Sequence, residues 1–112
     1  DVAVEDFEKG FSITEAALAI DGKIIVGITS GECALMGFID AYDAATGKRI
    51  WRVPTVATPG DPNRASCAGD SANYDGSPPW MTGPLDAASN TARWATGGAR
   101  AWSSHTCCQP GR

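Results

Sequence analysis

The sequence predicts an all-β protein: one four-stranded antiparallel sheet followed by the start of a second. Three observations carry that prediction. Two short turns containing glycine, "DGK" at 21–23 and "AATG" at 44–47, each separate apolar stretches. The stretch "MGFIDAYD" at 36–43 alternates, with Phe38, Asp40 and Tyr42 on one side and Ile39, Ala41 and Asp43 on the other. The 112 residues include 13 Gly and 7 Pro, which demands many turns and short elements.

Residues 12–20, "SITEAALAI", fit strand or helix on periodicity alone. The Asp-Gly turn that follows, and "IIVGIT" at 24–29, make a β-hairpin the expectation. "TSGE" at 29–32 ends the second strand, and 36–43 is the third. Gly47 suits the positive φ of the next turn, and Asp43 is expected to cap it. "KRIWRVPTV" at 48–56 is the fourth strand, with Pro54 pointing to an edge or an end. Residues 12–56 thus form a four-stranded meander. Residues 57–79 form a long loop rich in Pro, Gly, Asp, Asn and Ser. Strands resume at "WMTGPLD" (80–86) and "TARWATG" (91–97), and residues 98–112 form a tail without a period.

Composition excludes several classes. Hydrophobic residues make up 43% of the chain, too many for a disordered one. A net charge of −4 argues against a nucleic-acid surface. The apolar runs are too short to span a bilayer, and no basic segment followed by an apolar run marks a signal peptide. The chain does not begin with Met, which suits a processed protein, an excised segment or an incomplete reading frame. Four cysteines, Cys33, Cys67, Cys107 and Cys108, allow two disulfides in an oxidising compartment, with the connectivity open. No C-x-x-C spacing supports a metal site among these cysteines and His105. His105 beside Ser103 and Ser104 lacks the surroundings of a catalytic triad.

"AYDAATGKRIW" (41–51) overlays "PLDAASNTARW" (84–94), pairing Asp43 with Asp86 and Trp51 with Trp94. A repeat of this length suits a propeller blade, where a Trp at fixed spacing beyond a turn docks between neighbouring sheets.

The same stretch matches A-x-D-x-x-T-G-x-x-x-W at every fixed position. This is the tryptophan-docking motif of the quinoprotein alcohol dehydrogenases, of the methanol and ethanol dehydrogenase type. The chain resembles that family collinearly from about Phe7 to about Gly111, through "GFSITEAALAIDGKIIVGITSGE", "GFIDAYDAATGKRIWRVPTVATPGDP", "AGDS", "PPWMTGPLD" and "WATGG". The resemblance implies an eight-bladed β-propeller holding pyrroloquinoline quinone (PQQ) and calcium in its central funnel. This chain would supply one blade and the beginning of another.

Residue by residue, the resemblance gives Glu32 as a calcium ligand beside PQQ. It gives Thr14 and Thr29 as hydroxyl contacts to the cofactor, and Ser30 and Gly31 as small residues whose backbone lies against it. Trp80 is the indole on which PQQ stacks. These types suit their roles: calcium takes carboxylate oxygens, and a planar cofactor rests on a flat ring. The sequence departs from the family at four places. Gly98 replaces an Asn that is the second calcium ligand, Met36 replaces an Arg, Ala72 replaces a Trp, and "YDGSPPW" (74–80) replaces a glycine-rich stretch before the stacking Trp. The family's catalytic Asp lies downstream of this region, and no residue here matches it.

Sequence and resemblance together imply a segment of a periplasmic PQQ- and calcium-dependent alcohol dehydrogenase. It would oxidise a primary alcohol and pass electrons to a cytochrome c-like acceptor. The segment, without the remainder of the propeller, is not expected to act alone. The alternatives are a non-catalytic propeller of PQQ-like repeats serving as a scaffold or binding module, and a truncated remnant.

Overall fold

The computed structural model describes residues 1–29, 35–66 and 77–97. The all-β expectation holds. Strands β1 (Leu18–Ile20), β2 (Lys23–Gly27), β3 (Phe38–Asp43) and β4 (Arg49–Pro54) form one antiparallel sheet in the order β1-β2-β3-β4. Strands β5 (Leu85–Asp86) and β6 (Thr91–Ala92) form a second, two-stranded sheet. Two 3₁₀ turns, Phe7–Lys9 and Pro62–Ser66, are the only helical elements among the described residues.

The turns follow from their residues. Asp21 and Gly22 have φ of 45° and 70°, the left-handed pair that a tight β1–β2 hairpin requires. The Asp43 carboxylate accepts hydrogen bonds from the backbone N–H groups of Ala45 and Thr46 and from the Thr46 hydroxyl. Gly47, at φ 70°, then turns the chain into β4. Asp86 repeats this arrangement with Ala88 and Ser89, and Asn90 takes the left-handed position at φ 51°. The two overlaid stretches therefore share a turn, and their tryptophans, Trp51 and Trp94, line one cavity. β4 is an edge strand whose last residue is Pro54. The Thr55 N–H still donates to the Gly37 carbonyl at 2.9 Å, so Pro54 stands at the alternate position, where the missing N–H faces away from β3.

One face of the large sheet carries Val26, Phe38, Asp40 and Tyr42, all buried. Asp40 is 0% exposed and fully partnered. It accepts from the Tyr42 hydroxyl at 2.7 Å and from Arg52 Nε and Nη2 at 2.7 Å each. Arg52 lies 3.5 Å above the Phe38 ring and donates to Glu5 and to the Val4 carbonyl, so the N-terminal segment covers this face. The opposite face turns Ile25, Ile39, Trp51 and Val53 toward β5–β6 across a cavity of about 430 Å³.

Several strands are shorter than the sequence suggests. Residues 12–17 are not strand. Gly27 donates its N–H to the Glu15 side chain instead of to a β1 carbonyl, so the ladder stops at Leu18. Continuing the Leu18↔Ile25 register would set Thr14 opposite Thr29, but Ser12 is bridged to Thr29 instead. In the second sheet, Pro84 has no N–H to return the bond it accepts from Arg93, so pairing ends beyond Leu85 and Ala92. Gly83 lies under the Arg93 carbonyl, where a Cβ would collide. The loop expected over 57–79 contains the 3₁₀ turn Pro62–Ser66, and its two ends meet where the Thr55 hydroxyl donates to the Ser77 carbonyl at 2.7 Å.

Candidate functional site

The candidate site is built around one crossing of the chain. Pro79, fully buried, lays its carbonyl over Gly27, where any Cβ would run into the Pro79 oxygen and ring. Glu15 reaches the same point and accepts the Gly27 N–H through Oε1. The Thr82 hydroxyl donates to the Ala16 carbonyl. Trp94 Nε1 donates to the Pro79 carbonyl at 3.4 Å, and the Gly97 N–H donates to the Pro78 carbonyl at 2.9 Å. Segments 12–16, 27–29, 77–82 and 94–97 are thus fastened together at one end of β2.

The described residues that the resemblance singled out flank this crossing. Thr14 precedes Glu15, and its hydroxyl lies 2.7 Å from that of Thr29. Thr29 exchanges backbone and side-chain bonds with Ser12: Thr29 N–H to Ser12 O, and Ser12 Oγ to Thr29 O, each at 2.7 Å. Trp80 follows Pro79 and is 48% exposed, leaving much of its indole surface open. Gly97 packs against Pro78 beside the Trp80 indole nitrogen, where a side chain would press on the Pro78 ring. Ser30, Gly31 and Glu32 lie outside the described residues, as do Cys33, Cys67, Ala72, Gly98, His105, Cys107 and Cys108. Met36 is described and partly exposed.

Sequence reasoning missed Glu15. Burial pushes its carboxyl above the usual glutamate range. The Gly27 N–H, and more weakly the nearby Thr82 hydroxyl and Trp94 indole, offset that only in part. Its second oxygen, Oε2, is buried without a hydrogen-bond partner. An acidic residue next to Thr14 was the only available signal, and it is indistinguishable from a surface strand position.

The Thr14–Thr29 hydroxyl pair and the half-exposed Trp80 indole are carried by segments that meet at this crossing. Hydroxyls can hydrogen-bond ligand oxygens, and an open indole can stack on a planar ring. No group of three or more His, Cys, Asp or Glu side chains among the described residues is arranged to hold a metal ion. The 430 Å³ cavity shares Trp94 with this crossing, but Thr14, Thr29 and Trp80 are not among its lining residues.

Comparison with known proteins identifies the class. Quinoprotein alcohol dehydrogenase PedH of Pseudomonas putida is 30% identical over 118 residues, covering 91% of this chain and 20% of that protein. The lanthanide-dependent methanol dehydrogenase of Methylorubrum extorquens is 30% identical over 101 residues, covering 87% of this chain and 16% of the relative. The crystal structure of quinohemoprotein alcohol dehydrogenase from Comamonas testosteroni superposes with a TM-score of 0.71 at 32% identity, over 83% of this chain and 16% of that one. No protein-family model matches the chain. The four-stranded sheet is a blade of a β-propeller, with part of a second blade after it, and the chain belongs to the quinoprotein alcohol dehydrogenases. It spans about a fifth or less of the length of these relatives.

Proposed function

We propose that this chain forms part of the cofactor site of a PQQ-dependent alcohol dehydrogenase. Thr14, Thr29, Ser30, Gly31 and Trp80 contact the quinone, and Glu32 binds the calcium ion beside it. The observation that carries the reading is the Thr14–Thr29 hydroxyl pair, held by the same crossing that presents the exposed Trp80. When bound, PQQ supplies the redox chemistry and takes two electrons from a primary alcohol. The chain's own residues bind and orient: Trp80 supplies an apolar floor, and the threonines supply hydrogen bonds at its edge. A cytochrome c-like protein accepts the electrons, the remainder of the propeller completes the site, and the assembly works in the periplasm. Residues 12–56 serve as one blade, 57–79 as a loop, 80–97 as the start of the next blade, and 98–112 as a tail.

Gly98 favours a second reading. It offers no side-chain oxygen where the family pattern supplies a calcium ligand, which suits a propeller that keeps the blade as a scaffold without the chemistry.

Titrating PQQ into the chain with and without calcium, and following tryptophan fluorescence, separates the two. Saturable, calcium-dependent quenching that Trp80→Phe weakens by about tenfold supports the cofactor site. Quenching that is unsaturable, or unchanged in Trp80→Phe, supports the scaffold. No alcohol oxidation by the chain alone is expected in either case.

A further inference from the structure

We infer that Glu15 is a positioning residue for Trp80, holding the short bow of residues 79–82 whose crest is the exposed indole. The identity of the ligand on that indole rests on the proposed function; the positioning does not.

The Glu15-Ala16 dipeptide and Gly27 reach both ends of the bow, and the Trp94 indole and Gly97 N–H also hold the first end. At one end, Glu15 Oε1 takes the Gly27 N–H and Pro79 lies on Gly27, so carboxylate, glycine and proline meet at one point. At the other end, Thr82 donates to the carbonyl of Ala16, the residue after Glu15. Between these anchors stand Trp80 and Met81, both exposed. Trp80 is only about half covered, so its placement depends in large part on the anchors.

The carboxylate has displaced regular structure to do this. A backbone carbonyl at this point would extend β1 and satisfy the Gly27 N–H without burying a charged group. Instead the ladder stops at Leu18, and Glu15 buries Oε2 without a partner. A buried unsatisfied oxygen is unfavourable and requires a reason. The reason assigned here is the space that the side chain opens between the first segment and β2, into which Pro79 enters. Past this departure Ser12, not Thr14, bridges Thr29, while the Thr14 hydroxyl stays 2.7 Å from that of Thr29.

The test uses the full chain labelled with 5-fluorotryptophan, with the Trp80 signal assigned by loss in Trp80→Phe. Glu15→Ala should move the Trp80 fluorine resonance and weaken PQQ binding about tenfold. Glu15→Gln keeps an acceptor for the Gly27 N–H and should leave the resonance in place and the PQQ affinity within about twofold of wild type. Val26→Ala, a core truncation on the opposite face, provides the comparison for general loss of stability. It should lower the melting temperature and leave the Trp80 resonance in place. The inference is overturned if Glu15→Ala behaves like Val26→Ala, or if Glu15→Gln fails to restore the resonance. Should Glu15→Ala not fold, Glu15→Asp keeps the charge but shortens the reach, and an unmoved Trp80 resonance there overturns the inference as well. If wild type binds no PQQ, the proposed function fails while the resonance still decides the role of Glu15.

Discussion

Glu15 and the two turn aspartates show how environment sets the pH response of chemically similar groups. The Glu15 carboxyl is raised, with burial the largest cause, so the folded chain holds this proton more tightly than the unfolded one. Its contribution to stability is full below the ordinary glutamate range and is lost as pH rises through the raised value. Asp43 and Asp86 run the other way. Hydrogen bonds from Thr46 and Ser89 lower them, so their contribution is present at neutral pH and is lost as pH falls through the lowered values. Glu15→Gln removes only the first effect. The melting temperature of that variant relative to wild type should therefore rise between pH 4 and pH 7, where about one ordinary carboxylate titration completes. A difference that stays flat over the same range contradicts the shift. The Asp43 cap was legible in the sequence because Asp-x-x-Thr-Gly encodes a side chain that bonds its own turn. Glu15 was not, because its role depends on a segment more than sixty residues away in the chain.

At the scale of elements, alternation and turn chemistry placed β2, β3 and β4, and the buried Phe38, Asp40 and Tyr42 lie on the common face that the alternation assigns. The ends of strands were less legible. Residues 12–17 have the composition of a strand, yet a side chain competes successfully for the hydrogen bond that would have extended it. The 80–86 and 91–97 stretches shrink to two residues each because Pro84 and the close crossing at Gly83 interrupt the ladder. The pair Asp40↔Arg52 is the strongest polar link between β3 and the edge strand β4. Arg52→Ala would leave Asp40 wholly buried with Tyr42 as its one close hydrogen-bond donor, and would also remove the cover over Phe38. Because Arg52 is itself about one quarter exposed, the cost should fall at the lower end for a broken buried pair, about 3 kcal/mol. Urea denaturation measures it, and a midpoint unchanged from wild type would show that Arg49, 3.9 Å from Asp40, suffices.

For the whole molecule, the repeat and the docking motif made the propeller architecture readable, whereas the way the blades close on each other was not. A sheet states its own strand order through alternation, but its outer face is matched only by whatever packs there. Here one face is closed by the N-terminal segment through Glu5 and Arg52. The other looks onto β5–β6 across the 430 Å³ cavity, and β4 leaves an edge on which Ile50 and Val53 are 48% and 52% exposed. Blades of this kind obtain stability from their neighbours, and an open apolar edge is a template for pairing with another chain. The chain in isolation should therefore self-associate at micromolar concentration, with a sedimentation coefficient that rises with loading. Val53→Lys places a charge beside the cavity and on the edge at once, so it should shift the distribution toward monomer. A monomer with a sharp, concentration-independent melt would mean that the two sheets and the N-terminal cover bury enough apolar surface to stand without neighbouring blades.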